Sequence, residues 1–105
     1  MKIKLFDSED KAKEILTLNQ PRLIRAEGKE LCIVRTSENL NVFENLCPHM
    51  GERLHQGNTN HLNEIVCPLH TYRFHMHTGE EAEGRCSPLK IYDVLFEEEG
   101  IYLII

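Results

Sequence analysis

The sequence predicts an all-β protein: an antiparallel sandwich or small barrel with one short N-terminal helix and a loop-rich insertion before its closing hairpin. Three observations predict this. Short runs rich in Val, Ile, Leu and Phe recur from Arg22 onward, separated by Gly, Asn and Ser turns. Only Asp7 to Leu16 carries a helical pattern. The rhythm of strands breaks at Asn45 and does not resume fully until after Gly84, and that interval holds all six histidines.

Taken in order, Ile3 to Phe6 alternates with lysines and reads as a first strand. Asp7 or Ser8 can cap the helix that follows, with acids in its first turn. A helix this short does not stand alone, so it should pack across one end of a sheet. Asn19-Gln20-Pro21 ends that region. Arg22 to Ala26 and Leu31 to Thr36 read as a hairpin around Glu27-Gly28-Lys29, and Leu40 to Glu44 as the next strand. Within the insertion, Glu64 to Val66 and Tyr72 to Met76 read as short strands. Leu89 to Phe96 and Ile101 to Ile105, joined at Glu99-Gly100, close the chain. The expected layout is one domain over 1–105, a scaffold of about 1–44 and 85–105 with the insertion at about 45–84.

The chain has 105 residues, 41% of them apolar, which suffices for one core. No apolar run approaches the ~20 residues of a membrane helix. Met1 to Asp7 has no apolar stretch resembling a secretory signal, so a cytoplasmic location is expected. Seventeen acids against twelve bases leave a net charge of −5. That disfavours nucleic acid and suits a basic protein surface. The acidic runs Glu80-Glu81-Ala82-Glu83 and Glu97-Glu98-Glu99 read as solvated turns.

Chemistry concentrates between Cys47 and Phe74. Cys47-Pro48-His49 and Cys67-Pro68-Leu69-His70 each offer one thiolate and one imidazole, a ligand set that points to a metal. Two Cys and two His satisfy tetrahedral zinc, but structural zinc usually draws its close pairs as Cys with Cys or His with His. Here each close pair is mixed, a spacing suited to ligands that need not share one atom. A two-iron cluster meets that condition.

The paired boxes resemble those of the Rieske family. Cys47-Pro48-His49-Met50-Gly51 and Cys67-Pro68-Leu69-His70 are similar to its two cluster-binding segments. Gly51, Leu54 and Gly57 match its G-x-x-L-x-x-G run, and Phe74 with Thr78-Gly79 its aromatic and Thr-Gly positions. Ser87-Pro88-Leu89 and Tyr92 resemble its return to the scaffold, so the likeness covers roughly 30–105. The resemblance implies a Rieske-like fold and one [2Fe–2S] cluster per chain. It implies that Cys47 and Cys67 bind one iron, and that His49 and His70 bind the outer iron near the surface. One departure stands out: the family usually has Gly after the second histidine, where this chain has Thr71. A β-branched residue is costly there if φ is positive.

The remaining candidates read as structural. Cys32 lies in a strand and reads as a small buried hydrophobe, with a Cys32–Cys86 disulfide as the lesser alternative. His55, His61, His75 and His77 read as surface histidines. Met50, Leu54 and Leu69 form either an apolar collar around the ligands or packing beneath them.

The resemblance is to the soluble ferredoxins that carry electrons from a flavin reductase to a ring-hydroxylating oxygenase. It implies an electron-transfer protein without catalysis of its own, with a reductase as electron donor and an oxygenase-like enzyme as acceptor. The chain ends at Ile105, where an oxygenase subunit would continue into a mononuclear-iron domain. A monomer is expected. The alternatives are a small subunit of a nitrite-reductase-type complex, whose known versions typically lack the ligands, and a zinc-stabilised interaction module. With two thiolates and two neutral imidazoles the oxidised cluster is neutral, whereas an all-cysteine cluster is a dianion. Rieske centres therefore span about −150 to +300 mV. High-potential members carry a disulfide between the boxes and hydroxyl donors after the second. Here those positions are Glu52, Leu69, Tyr72 and Phe74. The reduction potential is expected toward the low end of that span, as protein-film voltammetry can measure; a value near the top contradicts it.

Overall fold

In a computed structural model describing residues 1–105, nine strands form two antiparallel sheets. The strands are β1 Lys2–Phe6, β2 Arg22–Ala26, β3 Lys29–Arg35, β4 Leu40–Glu44, β5 Asn58–Thr59, β6 Glu64–Val66, β7 Arg73–His75, β8 Ile91–Glu97 and β9 Gly100–Ile104. The larger sheet has the order β1-β9-β8-β4-β3-β2 and the smaller β5-β6-β7. A single α-helix, α1, spans Glu9–Ile15, and one turn of 3-10 helix spans Leu54–Gln56. The all-β expectation with one short helix agrees with this architecture.

The helix begins where its sequence can satisfy the first free amides. Ser8 is the N-cap, its hydroxyl accepting from the Lys11 N–H at 3.2 Å, and Glu9 and Asp10 favour the positive end of the helix. Ala12 and Leu16 turn inward onto the larger sheet. The β2–β3 hairpin turns on Glu27 and Gly28, both at positive φ, between the paired residues Ala26 and Lys29. Such two-residue turns match the right-handed twist of the strands. Lys29, read from sequence as part of the turn, begins β3 instead. Gly100 likewise begins β9, so Glu98 and Glu99 form the last turn. The sequence reading missed β5 and the 3-10 turn, which are too short to show periodicity.

Strands β3 and β4 are buried on both faces. Alternate residues point opposite ways from a strand. Leu31, Ile33, Leu40 and Val42 therefore meet Ala12, Leu16, Tyr92, Ile101 and Leu103 in one core. Cys32, Val34 and Phe43 meet Leu54, Ile65, Phe74, Met76 and Leu89 in a second core, between the two sheets. Each fully buried large apolar side chain there contributes about 1.5–3 kcal/mol. Cys32 is fully buried with a free thiol, which burial pushes up to about 12, so it packs as a hydrophobe rather than pairing with Cys86. The second core also contains Cys47 and Cys67.

Two local features bring the insertion onto that core. Asn45 is fully buried at the exit of β4. Its side-chain oxygen accepts from the His55 N–H at 2.8 Å, its carbonyl from the Leu54 N–H at 2.7 Å, and its amide nitrogen lies 2.8 Å from His55 Nδ1. His55 is thus structural. Gly57 lies where a Cβ would come 2.0 Å from the Val66 carbonyl oxygen. Only glycine allows the chain to pass this close to β6, immediately ahead of Cys67. No helix is long and apolar enough to cross a membrane.

Candidate metal centre

Both Cys-Pro segments fold into loops closed in the same way. The Cys47 N–H donates to the Glu52 carbonyl at 2.8 Å, and the Cys67 N–H donates to the Tyr72 carbonyl at 2.8 Å. Each loop thus starts and ends at one hydrogen bond spanning five residues. In the first, the reversal is made by Gly51 at φ 73°, whose N–H also donates to the Cys47 carbonyl at 2.7 Å. In the second, His70 and Thr71 make it, at φ 63° and 52°.

The loops present two thiols inward and two imidazoles outward. Cys47 and Cys67 are buried at 2% and 1% exposure, while His49 is half-buried and His70 exposed. The Cys67 thiol lies within hydrogen-bonding reach of Cys47, and burial pushes its pKa up, as does the neighbouring Cys47. The Leu69 N–H opposes this by donating to the Cys67 sulfur. The imidazole centroids are 5.5 Å apart, with planes tilted by 58°. No three Cys, His, Asp or Glu side chains converge on a single metal-sized point.

This donor set fits a cationic group with more than one metal centre. Two adjacent thiols in an apolar core do not both ionise without positive charge beside them. Metal binding supplies that charge and displaces both protons. The inner pair of sulfurs and outer pair of nitrogens are soft and borderline donors respectively, as a mixed iron–sulfur ligand set needs.

Residues 8–93 match the model of the Rieske [2Fe-2S] domain. The chain belongs to the Rieske [2Fe-2S] domain family. Membership implies a [2Fe–2S] cluster. The chain is 32% identical over 84 residues to the ferredoxin component of the naphthalene 1,2-dioxygenase system of Pseudomonas aeruginosa, covering 76% of this chain and 77% of that one. Among solved structures, the ferredoxin of carbazole 1,9a-dioxygenase from Nocardioides aromaticivorans IC177 is 30% identical with a TM-score of 0.77, over 86% of this chain and 88% of that one. A protein described as a nitrite reductase NADPH small subunit superposes at TM-score 0.79 over 100% and 99% of the two chains, but at 15% identity it shares the fold alone.

Several residues behave differently from their sequence reading. Glu81, grouped with its neighbours as a solvated acid, is 5% exposed. Its carboxylate accepts from the backbone N–H groups of Glu83 at 3.1 Å and Arg85 at 2.9 Å, and from the Arg85 guanidinium at 3.1 and 2.8 Å. Arg85 lies 3.8 Å from the centroid of the Tyr72 ring, a contact worth about 0.5–2 kcal/mol. Tyr72 stacks on His49 at 3.9 Å with planes 9° apart. The acidic run at 80–83 hid this arrangement, since charge clusters are ordinarily exposed. A weak signal existed in the Glu81–Arg85 spacing.

The other readings divide. His75 accepts the His77 and Thr78 N–H groups on Nδ1, both at 3.2 Å, and so serves its own turn. His61 and His77 are exposed. Leu54 is fully buried beneath the first loop, whereas Met50 at 62% and Leu69 at 37% face outward with Leu46 at 50%. The collar and packing readings are therefore both partly right, for different residues.

Thr71 carries the strain that the departure from Gly implied. A left-handed backbone costs an L-residue roughly 1–2 kcal/mol. Its hydroxyl donates to the His70 carbonyl at 2.7 Å and offsets part of this. Thr71→Gly should raise stability by about 1 kcal/mol, read from the urea midpoint of the metal-free protein; an unchanged or lowered midpoint contradicts the strain.

Acid should act through Glu81. The Arg85 guanidinium, with help from backbone N–H groups, lowers its carboxyl from the ordinary 4.5 to about 2. Its stabilisation is complete above the unfolded value and is lost as pH falls from about 4.5 toward 2. Glu81→Gln should flatten the stability–pH curve in that window, measured by urea unfolding at successive pH values. A slope equal to that of the parent would exclude this role.

Proposed function

We propose that this chain is a one-electron carrier whose single [2Fe–2S] cluster is held by Cys47, His49, Cys67 and His70. The observation carrying this reading is the pair of buried thiols beneath two outward imidazoles, presented by loops with the same closing hydrogen bond. Cys47 and Cys67 are the ligands of the inner iron, and His49 and His70 of the outer one. The cluster supplies one-electron redox chemistry when bound.

The protein's own part is to hold these four groups and to keep water from the sulfurs. The core places both thiols in an apolar setting, and the Leu69 N–H adds a donor to one of them. Phe74 is fully buried and has no hydroxyl to add another, which supports a potential low in the Rieske span. Leaving His70 exposed shortens the path to a partner. Leu46, Met50 and Leu69, each adjacent in sequence to one of the four proposed ligands, add exposed apolar surface suited to brief contact with another protein.

The donor in this scheme is a reductase and the acceptor an oxygenase or similar enzyme, as the names of the related ferredoxin components suggest. The reading places the protein in the cytoplasm as a monomer. The net charge of −5 suits basic docking surfaces.

Anaerobically purified protein should be reddish-brown and give a histidine-ligated [2Fe–2S] EPR signal on reduction. His70→Cys should abolish or alter that signal, while His75→Ala leaves the visible spectrum intact. A colourless protein with one zinc per chain would sink the carrier assignment in favour of an interaction module. Stable co-purification with a fixed oxidoreductase would favour a subunit of a complex.

A further inference from the structure

The two imidazoles at the rim are built into the protein differently. His70 is exposed, and its ring has no aromatic or cationic side chain stacked on it apart from the tilted His49. His49 lies against Tyr72, which belongs to the opposite loop. The rings are nearly parallel, and Arg85 lies over the same tyrosine ring at 3.8 Å. Two groups this close to one ring centre must occupy opposite faces of it. Imidazole, phenol and guanidinium therefore form one column.

The foot of the column is fixed. Glu81 grips both Nε and Nη2 of Arg85, and backbone N–H groups of Glu83 and Arg85 hold the same carboxylate. Its side chain is completely buried. Glu81 is also paired with Phe74 in an isolated bridge, so the anchor is tied to β7. All four cysteines are free, so no disulfide joins the two loops. The stack is a side-chain link between them.

We propose that Tyr72 and Arg85, anchored by Glu81, are positioning residues for His49, and that they make the two histidines of the site unequal. This rests on the ligand assignment proposed above. A flat stack opposes rotation of the imidazole about its bond to the chain, so its nitrogen keeps one direction when the charge of the site changes. His70, without such cover, is free to respond to solvent or to a partner. The guanidinium also places a positive charge at the end of the column opposite His49, and its removal leaves the buried Glu81 carboxylate uncompensated.

The experiment uses the loaded, reduced protein and measures histidine nitrogen couplings by pulsed EPR, together with the reduction potential. The parent should show two distinguishable nitrogen couplings. Tyr72→Ala should shift one of them and leave the other in place, while Tyr72→Phe, which keeps the stack, should retain both. Arg85→Ala should move the same coupling and lower the potential, with Arg85→Lys restoring the potential in part. If Tyr72→Ala proves too unstable to load, Arg85→Lys decides, since it keeps a cation beside the buried Glu81 while removing the planar group stacked on Tyr72. Couplings unchanged or moved equally in Tyr72→Ala, or a parental potential and couplings in Arg85→Ala, would overturn the clamp. Absence of histidine couplings in the parent would instead overturn the ligand assignment.

Discussion

Two thiols held side by side in an apolar core are the constraint on which the rest of this structure depends. Burial makes ionisation of Cys67 harder, and the neighbouring Cys47 adds to this. Such a pair is stable as thiols or as ligands of a cationic centre. The surrounding core, from Cys32 and Phe43 on one sheet to Ile65 and Phe74 on the other, enforces this condition by excluding water. The same core explains the two-sheet architecture. The larger sheet alone buries one face on the helix, and its second face needs the smaller sheet and the two loops.

The loops share a closing hydrogen bond but not a backbone. Gly51 makes the reversal of the first without steric cost, whereas His70 and Thr71 make that of the second in a region unfavourable to side chains. The difference falls at the exposed histidine. Strain at such a place is sustained only because neighbouring structure holds it, here the Cys67–Tyr72 hydrogen bond and the pairing of β6 with β7 directly after it. The acidic residues show a parallel contrast. Glu98 and Glu99 turn freely in solvent, whereas Glu81 in the other acidic run is a buried anchor with several N–H partners.

Much of the scaffold was legible in the chain. β2 and β4 lie where their apolar runs begin and end, and Ser8 caps the helix as its side-chain chemistry requires. Such features depend on neighbours in sequence. Boundaries at Lys29 and Gly100 shifted because hairpin register, rather than residue preference, decides where a turn ends. β5 was invisible because two residues carry no period, and it exists only through pairing with β6.

For the site, the sequence by itself determined the chemical character: two Cys-Pro segments, each pairing a thiol with an imidazole at a spacing poorly suited to one zinc ion, and a family resemblance that the matched domain shares. Local composition suffices for this because each Cys–His pair lies within one short loop. Only the tertiary structure decided that the thiols share a core, that His49 is covered while His70 is open, and that Tyr72, Arg85 and Glu81 form a column ending on His49. Those relations join residues from separate loops and depend on how two sheets pack. A charge or an aromatic ring acquires such a role from its neighbours in space, which its neighbours in sequence do not specify.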